Sequence, residues 1–555
     1  MLKLITEVLI VERLQIKNIS SLEKLIAAAE CTATEYNSGS ALLNEEFSYQ
    51  IAYKGEGQIF RKISTVEIDS DIAECITVYC VKGVPVIFRD GEKADEKFRD
   101  ATSAIIPDVL EPYNKCIPVS TTLFRTLWVS VKVGGNISAG RHTIKIIFKT
   151  DGEITGVSEF ELDVIGAKLL EADIPYTNWI YPDCIADIHN CGIFSEEHWL
   201  MIDKYMQMAS QHGVNMMLTP VITPPLDTRI GTERPTVQLV DITYDKGRYI
   251  FGFDKLGKWL ELCKKNNIEY IEVAHLFSQW GGEKTPKVIV EENGKKISKF
   301  GWHTDALSNE YKEFLAQFIP ALTNFFEKNM EKENVYFHLT DEPSEEHIEH
   351  YGKLYEFVKP FLNGFRQMDA LSEYSFYEKG VVETPVVITP HISDYVSHNV
   401  ENLWAYTCSW PYDEKYSNRF LEFPSRRNRI IGCQLYKYNI KGFLHWGYNF
   451  YYSRLSVQLI NPYITNDAEG GFPPGDAFCV YPAGDGVIPS VRLKVFYQGL
   501  QDMMALKLLE KLAGRDEVMN ILEKEKPIEF DVPPESNEYI LKMREKINRK
   551  IKEIL

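Results

Sequence analysis

The first 165 residues alternate apolar and polar positions in short segments, which is the period of half-buried β-strands. Five segments carry the alternation: ECITVYCV (74–81), VPVIFRD (84–90), TLWVSVKV (126–133), RHTIKIIFKT (141–150) and SEFELDVIG (158–166). Turn signals such as Gly134-Gly135-Asn136 and Asp151-Gly152 separate them. Short strands at this spacing predict an N-terminal antiparallel β-sandwich over residues 1–165.

The pattern changes after residue 165, where short apolar segments alternate with stretches of helical period. The predicted strands are YTNWIY (176–181), VNMMLT (214–219), EYIEVAHLF (269–277), VYFHLT (335–340), GFRQMDA (364–370), TPVVITP (384–390), NLWAYTC (402–408) and GFLHWG (442–447). Helical segments such as 195–213 and 308–329 begin at a serine with acidic residues nearby, which is a helix N-terminal signal. Eight strands that alternate with helices predict a (β/α)₈ barrel over residues 166–510.

Two further segments complete the predicted organisation. FCVYP (478–482) is a ninth strand candidate, and we place it in a loop hairpin after strand eight. Residues 511–555 end in NEYILKMREKINRKIKEIL, where Ile540, Met543, Ile547, Ile551 and Ile554 share one helical face. We expect this C-terminal helical extension to pack on the barrel.

Composition narrows the function classes. The 555 residues are 45% hydrophobic and 25% charged, as in soluble globular proteins, and the net charge of -18 argues against nucleic acid or an anionic membrane as partner. The 9 Trp, 30 Tyr and 29 Phe include side chains that could stack on sugar rings. No cofactor motif is present.

The spacing of the cysteines and the N-terminal residues indicate the cellular compartment of the protein. None of the ten cysteines forms a CxxC pair, so neither a zinc site nor a disulfide scaffold is predicted. The opening MLKLITEVLIVERL has acids within its apolar stretch and lacks a small-residue cleavage site, unlike a signal peptide. No run reaches the roughly 18 apolar residues of a membrane span. We expect a reduced, cytoplasmic protein.

Side chains that commonly bind sugars gather at the predicted strand ends, where a (β/α)₈ barrel places its active site. They are Tyr181 and Asp183 (strand one), His275 and Trp280 (three), Asp369 (five), Tyr406 and Trp410 (seven), and His445, Trp446, Tyr448 and Asn449 (eight). Each residue alone is more often a packing residue. Their convergence on one rim predicts a carbohydrate cleft.

The fourth strand ends in two adjacent acids, Asp341 and Glu342, followed by Pro343. Like charges at the end of an apolar strand repel each other and disfavour burial, so the pair lowers the stability of the fold. Such a pair is expected only where it has a function. A helix N-terminus also favours carboxylates, but Glu345 and Glu346 fit that role better. We predict that Asp341 and Glu342 are catalytic.

The adjacency of the two acids also bears on mechanism. Most retaining glycosidases place two carboxyls about 5 Å apart on opposite faces of the sugar. Adjacent residues leaving one strand do not easily do so, and the ends of strands seven and eight offer no acid. One carboxyl near the glycosidic oxygen and one near the substituent on carbon 2 suits substrate-assisted hydrolysis by a 2-acetamido group.

Other chemistries fit the sequence less well. His347 and His350 in EEHIEH lack the spacing of an HExxH zinc motif, and we predict no metal there. No phosphate-binding GxxxxGK[ST] loop occurs, and no GxSxG elbow supports a Ser-His-Asp site.

Several long motifs resemble glycoside hydrolase family 123, the β-N-acetylgalactosaminidases. They are WIYPDCIA, HLFSQWGGEKTPK, FHLTDEP, GFLHWGYNF and YPAGDGVIPSVRLKVFYQGLQD, all within residues 170–510. The resemblance implies a β-sandwich before the barrel and retaining, metal-free removal of terminal β-linked N-acetylgalactosamine from glycans.

The resemblance also assigns roles. It implies that Asp341 orients the acetamido group and stabilises the oxazolinium intermediate, and that Glu342 is the general acid/base. By position on the barrel, Trp446 would form the pocket floor. The other expected substrate contacts are Asp183, His275, Trp280, Tyr406 and Tyr448.

Two alternatives stay open from the sequence. The protein could be an inert glycan-binding protein that keeps the pocket without turnover. It could also be a retaining glycosidase with a conventional carboxylate pair, in which Asp369 is the second carboxylate.

Overall fold

The computed structural model describes residues 13–25, 28–56, 62–88, 102–413, 415–524 and 526–555. Residues 1–12, on which most of the signal-peptide prediction rests, lie outside the described residues, as do residues 89 and 90 of the predicted strand 84–90. Among the described helices, none combines the length and apolar character needed to cross a membrane.

The N-terminal region is rich in antiparallel β-structure, as predicted. Its strands are β1 (Leu14–Ser20), β2 (Ser38–Leu43), β3 (Glu45–Gly55), β4 (Lys62–Asp69), β5 (Ile76–Ile87), β6 (Ser103–Pro112), β7 (Ile117–Val119), β8 (Arg125–Val133), β9 (Gly140–Thr150) and β10 (Glu153–Lys168). The predicted strands 74–81 and 84–90 are one strand, β5, because pairing with β6 continues through a register shift between Lys82 and Gly83.

These strands form two five-stranded sheets, ordered β1-β3-β8-β5-β6 and β2-β10-β9-β4-β7. Among the described strands of these two sheets, only the β2–β10 pair is parallel. Alternate residues of β9 are buried, as the sequence period requires. Side chains from both sheets enter one buried apolar cluster, in which Tyr49 of β3 stacks on Phe160 of β10 with ring centroids 4.1 Å apart.

The remaining strands include all eight predicted barrel strands. They are β11 (Tyr176–Asn178), β12 (Met216–Thr219), β13 (Asp241–Asp245), β14 (Arg248–Gly252), β15 (Tyr270–Val273), β16 (Val288–Glu292), β17 (Lys295–Phe300), β18 (Val335–His338), β19 (Arg366–Leu371), β20 (Thr384–Ile388), β21 (Trp404–Thr407), β22 (Phe443–His445), β23 (Val480–Ala483) and β24 (Gly486–Pro489). A closed parallel barrel runs β11-β12-β15-β18-β19-β20-β21-β22.

Two small sheets lie outside the barrel. Strands β13, β14, β16 and β17 form a four-stranded sheet from the loops after β12 and β15. Strands β23 and β24 pair antiparallel, which confirms the predicted hairpin after strand eight.

Helices follow most barrel strands and surround them. They are α1 (Pro182–Ile188), α2 (Glu196–Ser210), α3 (Asp254–Lys265), α4 (Asn309–Asn329), α5 (Ile348–Leu362), α6 (Ser375–Glu378), α7 (Ile392–Ser397), α8 (Ser425–Arg429), α9 (Ile431–Lys437), α10 (Val491–Ala513), α11 (Arg515–Leu522) and α12 (Asn537–Ile554). The predicted serine starts are correct, because Ser195 and Ser308 accept hydrogen bonds from the backbone N–H of His198 and Tyr311.

The C-terminal helix α12 packs against both parts of the molecule. Ile540, Met543, Ile547 and Ile551 are buried, whereas Ile554 is 41% exposed. The helix contacts α10 and α11 as well as strands β2 and β10. It therefore joins the barrel to the N-terminal sheets. Strand β10 and helix α10 each continue across a predicted domain boundary, to residues 168 and 513.

Candidate active site

A cavity of about 210 Å³ opens at the carboxyl ends of the barrel strands. Because parallel strands deliver their following residues to one face, side chains far apart in sequence meet there. The polar lining includes Asp227, Gln279, Asp341, Glu342, Tyr406 and Arg454. The aromatic lining is Trp179, Tyr181, Trp280, Trp446 and Phe472.

The backbone after β18 fixes both acids at this cavity. The N–H of Trp280 donates to the carbonyl of Asp341 (2.7 Å), and the N–H of Glu342 donates to the carbonyl of Ala370 (3.2 Å). Glu342 has φ 44°, a left-handed conformation that costs a non-glycine residue about 1–3 kcal/mol. The neighbouring strands thus hold Glu342 in a strained position within the cavity.

The carboxyls of Asp341 and Glu342 resist ionisation. Burial and the adjacent Glu342 raise the pKa of Asp341 well above its usual range. Burial also raises the pKa of Glu342, and hydrogen bonding opposes the rise. The pair therefore retains a proton where an isolated carboxyl would be ionised, as a general acid requires.

Tyr406 is the hydrogen-bond partner of Glu342. Its hydroxyl donates to Oε1 at 2.7 Å, and the Cys408 thiol lies 3.9 Å from the same oxygen. Burial and Glu342 raise the pKa of Tyr406 well above its usual range, so the hydroxyl stays a donor. One carboxyl oxygen of Glu342 is thereby occupied, and Oε2 is left to carry a proton.

Trp446 is oriented from behind by Asp476. Its indole N–H donates to Asp476 Oδ2 at 2.9 Å, and its ring packs edge-on against Phe450 and Phe472. A fixed aromatic face in such a cavity can stack on the apolar face of a sugar.

Below the cavity lies a group that we call the barrel cluster: Glu272, His338 and Asp369, all without solvent exposure. His338 donates from Nε2 to Glu272 Oε1 (2.6 Å) and from Nδ1 to Asp369 Oδ1 (3.0 Å). Burial disfavours the charged imidazole, but the two hydrogen bonds and charges outweigh it and raise the pKa of His338 to about 10. His338 is therefore a cation at neutral pH.

Asp227 is a third carboxylate in the cavity, and no sequence motif predicted it. Its Oδ2 accepts the backbone N–H of Leu455 at 2.8 Å. Burial raises its pKa to about 6, and Arg234 and Arg454 oppose the rise. Asp227 follows β12 after a proline-rich loop, and Arg454 follows β22 after residues 446–453, so neither stands directly at a strand end where a local motif would reveal it.

Of the six residues expected to contact substrate, Trp280, Tyr406 and Trp446 line the cavity, but Asp183, His275 and Tyr448 do not. Asp183 lies in the first turn of α1 and pairs with the buried Arg234 at 2.6 Å. His275 packs against Trp179 and stacks on His338 with centroids 4.3 Å apart. The Tyr448 hydroxyl donates to the Tyr205 carbonyl at 3.1 Å. His275 contacts Trp179 of the cavity lining, and Arg234, the partner of Asp183, lies over the ring of Tyr181, another lining residue.

Asp369, the alternative second carboxylate, is also outside the cavity lining. It accepts from His338, the backbone N–H groups of residues 339 and 340, Tyr351 and Gln367. Burial raises the pKa of Asp369, whereas the surrounding donors favour its ionised form and occupy both of its oxygens. In this conformation it cannot attack a sugar bound in the cavity.

The histidines of EEHIEH have structural partners. Ser344 hydrogen-bonds with His347 Nδ1 (2.8 Å), and His350 Nε2 lies 3.0 Å from the Gly282 carbonyl. Within the described ranges, no group of three or more His, Cys, Asp or Glu side chains has an arrangement able to hold a metal ion.

The fold is shared with a solved glycosidase structure. A family 123 glycoside hydrolase from Clostridium perfringens, described for glycolipid glycan hydrolysis, is 14% identical; the alignment covers 98% of this chain and 97% of that chain, with a TM-score of 0.73. A family 5 mannosidase from Rhizomucor miehei, also 14% identical, aligns over 64% of this chain and 96% of its own with a TM-score of only 0.33. No curated protein sequence matches the chain.

The sequence itself carries the family assignment. Residues 179–509 match the family described as glycoside hydrolase 123, catalytic domain. This range begins at Trp179 in the cavity wall, includes Asp341 and Glu342, and covers more than half of the chain. The chain therefore belongs to glycoside hydrolase family 123 and is a glycoside hydrolase.

Proposed function

We propose that the protein is an exo-acting, retaining β-N-acetylgalactosaminidase in which the substrate's 2-acetamido group is the nucleophile. The observation that carries the proposal is the placement of Asp341 and Glu342 side by side in the cavity while Asp369 is fully engaged outside it. A cavity of about 210 Å³ suits a single terminal sugar.

In the first step, Glu342 donates its proton to the glycosidic oxygen as the bond from that oxygen to carbon 1 breaks. The acetamido carbonyl oxygen forms a new bond to carbon 1, which gives a cyclic oxazolinium and a neutral leaving alcohol. Tyr406 holds the Glu342 carboxyl in place during the transfer.

In the second step, Glu342 removes a proton from water, and the water oxygen attacks carbon 1. The oxazolinium ring opens and returns the acetamido group, so two inversions give net retention. Asp341 accepts the acetamido N–H and faces the positive charge of the cyclic intermediate. That charge favours the ionised form of Asp341, which burial alone disfavours.

The remaining cavity side chains bind the sugar. Trp446 supplies an aromatic face, and Trp280 covers the opening with 44% of its surface exposed. Asp227 and Arg454 offer a hydrogen-bond acceptor and donors for ring hydroxyls. A conventional carboxylate mechanism would have to use Asp227, the other carboxylate among the described lining residues.

The test combines turnover with stereochemistry. A 4-nitrophenyl β-N-acetylgalactosaminide should release nitrophenol, whereas the β-galactoside with a plain 2-hydroxyl should be essentially inert. Proton NMR should detect the β anomer as the first sugar formed. An α first product, or a 2-fluoro sugar trapped on Asp227, would overturn the mechanism but not the glycosidase assignment.

A thiazoline mimic of the cyclised intermediate tests whether Asp341 stabilises that intermediate specifically or only contributes to sugar binding in general. It should inhibit far better than N-acetylgalactosamine because it resembles the species that the cavity stabilises. Asp341→Asn should weaken the thiazoline more than the free sugar. Binding of both ligands without turnover of any glycoside would instead identify an inert glycan-binding protein.

We further propose that the two N-terminal sheets form the predicted sandwich over residues 1–165, with the barrel at 166–510 and the extension at 511–555. The shared apolar cluster and the Tyr49–Phe160 stack support the face-to-face packing. Partial proteolysis between residues 166 and 175 should release a folded N-terminal fragment if the sandwich is an independent unit.

A further inference from the structure

His338 connects the buried interior of the barrel to the proposed active site. It is the last residue of β18, three positions before Asp341, and has no solvent exposure. Both ring N–H groups are donated to carboxylates, at 2.6 Å to Glu272 and 3.0 Å to Asp369. A doubly protonated ring satisfies both partners at once.

The two carboxylates in turn hold parts of the cavity. Asp369 Oδ1 accepts the backbone N–H of Leu339 (3.1 Å) and of Thr340 (3.3 Å), the two residues before Asp341. Glu272 Oε1 accepts the indole N–H of Trp179 at 2.7 Å, and its Oε2 accepts the Thr177 hydroxyl at 2.5 Å. The barrel cluster thus positions one cavity wall and the segment that carries the acid pair.

The cluster has one cation and two anions, and their charges act on Asp341: Asp369 and Glu272 raise the pKa of Asp341, and His338 lowers it. The other titratable groups that interact with Asp341 are its neighbour Glu342, Tyr181 after β11, and Tyr406 and Cys408 at the end of β21. None of these other groups is a cation, so His338 is the positive charge in this set.

We infer that His338 is a positioning residue that fixes Trp179 and the Leu339–Thr340 backbone and offsets the negative charge of Glu272 and Asp369 beneath Asp341. The inference rests on the proposed function only in giving Asp341 its role as the ionised partner of the acetamido group. Without the His338 cation, Asp341 would ionise against two uncompensated anions. The acid limb of the pH–rate profile reports the first ionisation of the coupled Asp341/Glu342 pair, to which the ionisation of Asp341 contributes.

The test compares His338→Gln with Glu272→Gln. His338→Gln removes the cation, so the acid limb of kcat/KM on the aryl N-acetylgalactosaminide should move to higher pH by about one unit. Glu272→Gln removes one anion but keeps an acceptor for Trp179 and His338, and its amide can donate to Thr177. In this variant the acid limb should move to lower pH by about one unit.

The opposite signs exclude a merely structural role, which would reduce activity in both variants and shift neither limb in a charge-dependent way. Tyr351→Phe, which removes a neutral donor to Asp369, is the matched control and should leave the acid limb near that of the wild type. Shifts of the same sign in both glutamine variants, or no shift in either, would overturn the inference. If His338→Gln does not fold, Glu272→Gln decides alone.

A second readout does not depend on turnover. The Asp341 carboxyl can be titrated by ¹³C NMR of aspartate-labelled protein in a Glu342→Gln background, with its signal identified by its loss in Asp341→Asn. Its pKa should rise with His338→Gln and fall with Glu272→Gln. If these shifts occur but the wild type hydrolyses no N-acetylgalactosaminide, the proposed function is rejected and the inference about His338 stands. If the wild type is active but the pKa of Asp341 does not change in either variant, the inference is rejected and the proposed function stands.

Discussion

Two of the groups of charged side chains that are buried among the described residues differ in charge balance and location. The barrel cluster, Glu272, His338 and Asp369, has two anions and one cation beneath the cavity. The second group, the interface cluster, consists of Glu45 (β3), Arg429 (α8), Asp502 (α10) and Arg544 (α12).

The interface cluster is balanced and fully paired. Arg429 binds Asp502 through two bonds of 2.7 and 2.9 Å, and Arg544 lies 2.9 Å from Asp502 and 2.6 Å from Glu45. These pairs join the C-terminal helix to the N-terminal sheets and the barrel. Buried charge is therefore not by itself a sign of function. The barrel cluster is a functional candidate because its charges are unbalanced and lie below the cavity.

The largest effect is expected for Glu342, the proposed general acid. Glu342→Gln should lower turnover of a natural glycan by about 10²–10⁴-fold, the usual contribution of general acid catalysis. An activated aryl glycoside needs less protonation of its leaving group, so its bond-breaking step should suffer less. Steady-state and burst kinetics on both substrates measure the difference; equal losses with folding intact would argue against Glu342 as the acid.

At the interface cluster the expected effect is on stability. Arg544→Met leaves Glu45 and Asp502 with one cation between them and should lower the free energy of unfolding by about 3–5 kcal/mol. Denaturant titration checks this. Lys542→Met, on the same helix in an exposed pair with Glu538, is the control and should cost less than about 1 kcal/mol. A shifted pH–rate profile in folded Arg544→Met would contradict the separation of the two clusters.

A smaller change is expected when the donor to Glu342 is removed. The Tyr406 hydroxyl stabilises the ionised carboxyl, so Tyr406→Phe should raise the pKa of Glu342. Because the acid acts while protonated, activity is lost as pH rises through this pKa, and the alkaline limb should move up by about one unit. A pH profile of kcat/KM measures it; an alkaline limb that moves down would show that Tyr406 favours the protonated form.

The smallest effect concerns Asp227. Its folded-state pKa of about 6 exceeds the ordinary value of 3.8, so the folded protein binds the proton more tightly than the unfolded chain. The resulting stabilisation is present below pH 4 and is lost as pH rises to 6 or above, by about 1–2 kcal/mol after allowance for partial exposure. Unfolding free energies of the wild type and Asp227→Asn should therefore diverge with pH. A constant difference from pH 4 to pH 7 would contradict the assignment.

The number and order of the barrel strands could be predicted because each strand has a recognisable pattern of apolar and polar residues. The eight barrel strands are short apolar segments bounded by polar residues, and Asp341 and Glu342 follow the end of β18 within four residues. The chain order of strands in a parallel barrel then fixes which ends meet. These features are local in sequence, so periodicity and strand order suffice.

Side-chain direction at the rim could not be predicted in the same way. His275 and Trp280 both follow β15, yet only Trp280 lines the cavity, since the chain turns at Trp280 with φ 58°. Asp227 and Arg454 reach the cavity through long loops whose paths depend on tertiary contacts such as the Leu455 N–H bond to Asp227. Pairing of His338 with Glu272 and Asp369 likewise depends on three strands, β15, β18 and β19, being neighbours in the barrel.

The defining step of the proposed mechanism is attack on carbon 1 by the substrate's acetamido oxygen rather than by a protein carboxylate. It is tested most directly by kcat/KM for aryl β-galactosaminides whose N-acyl group carries zero, one, two or three fluorine atoms. Each fluorine withdraws electrons from the carbonyl oxygen and weakens it as a nucleophile, so the proposed mechanism requires kcat/KM to fall steeply with each substitution. Values that stay level across the series would contradict it.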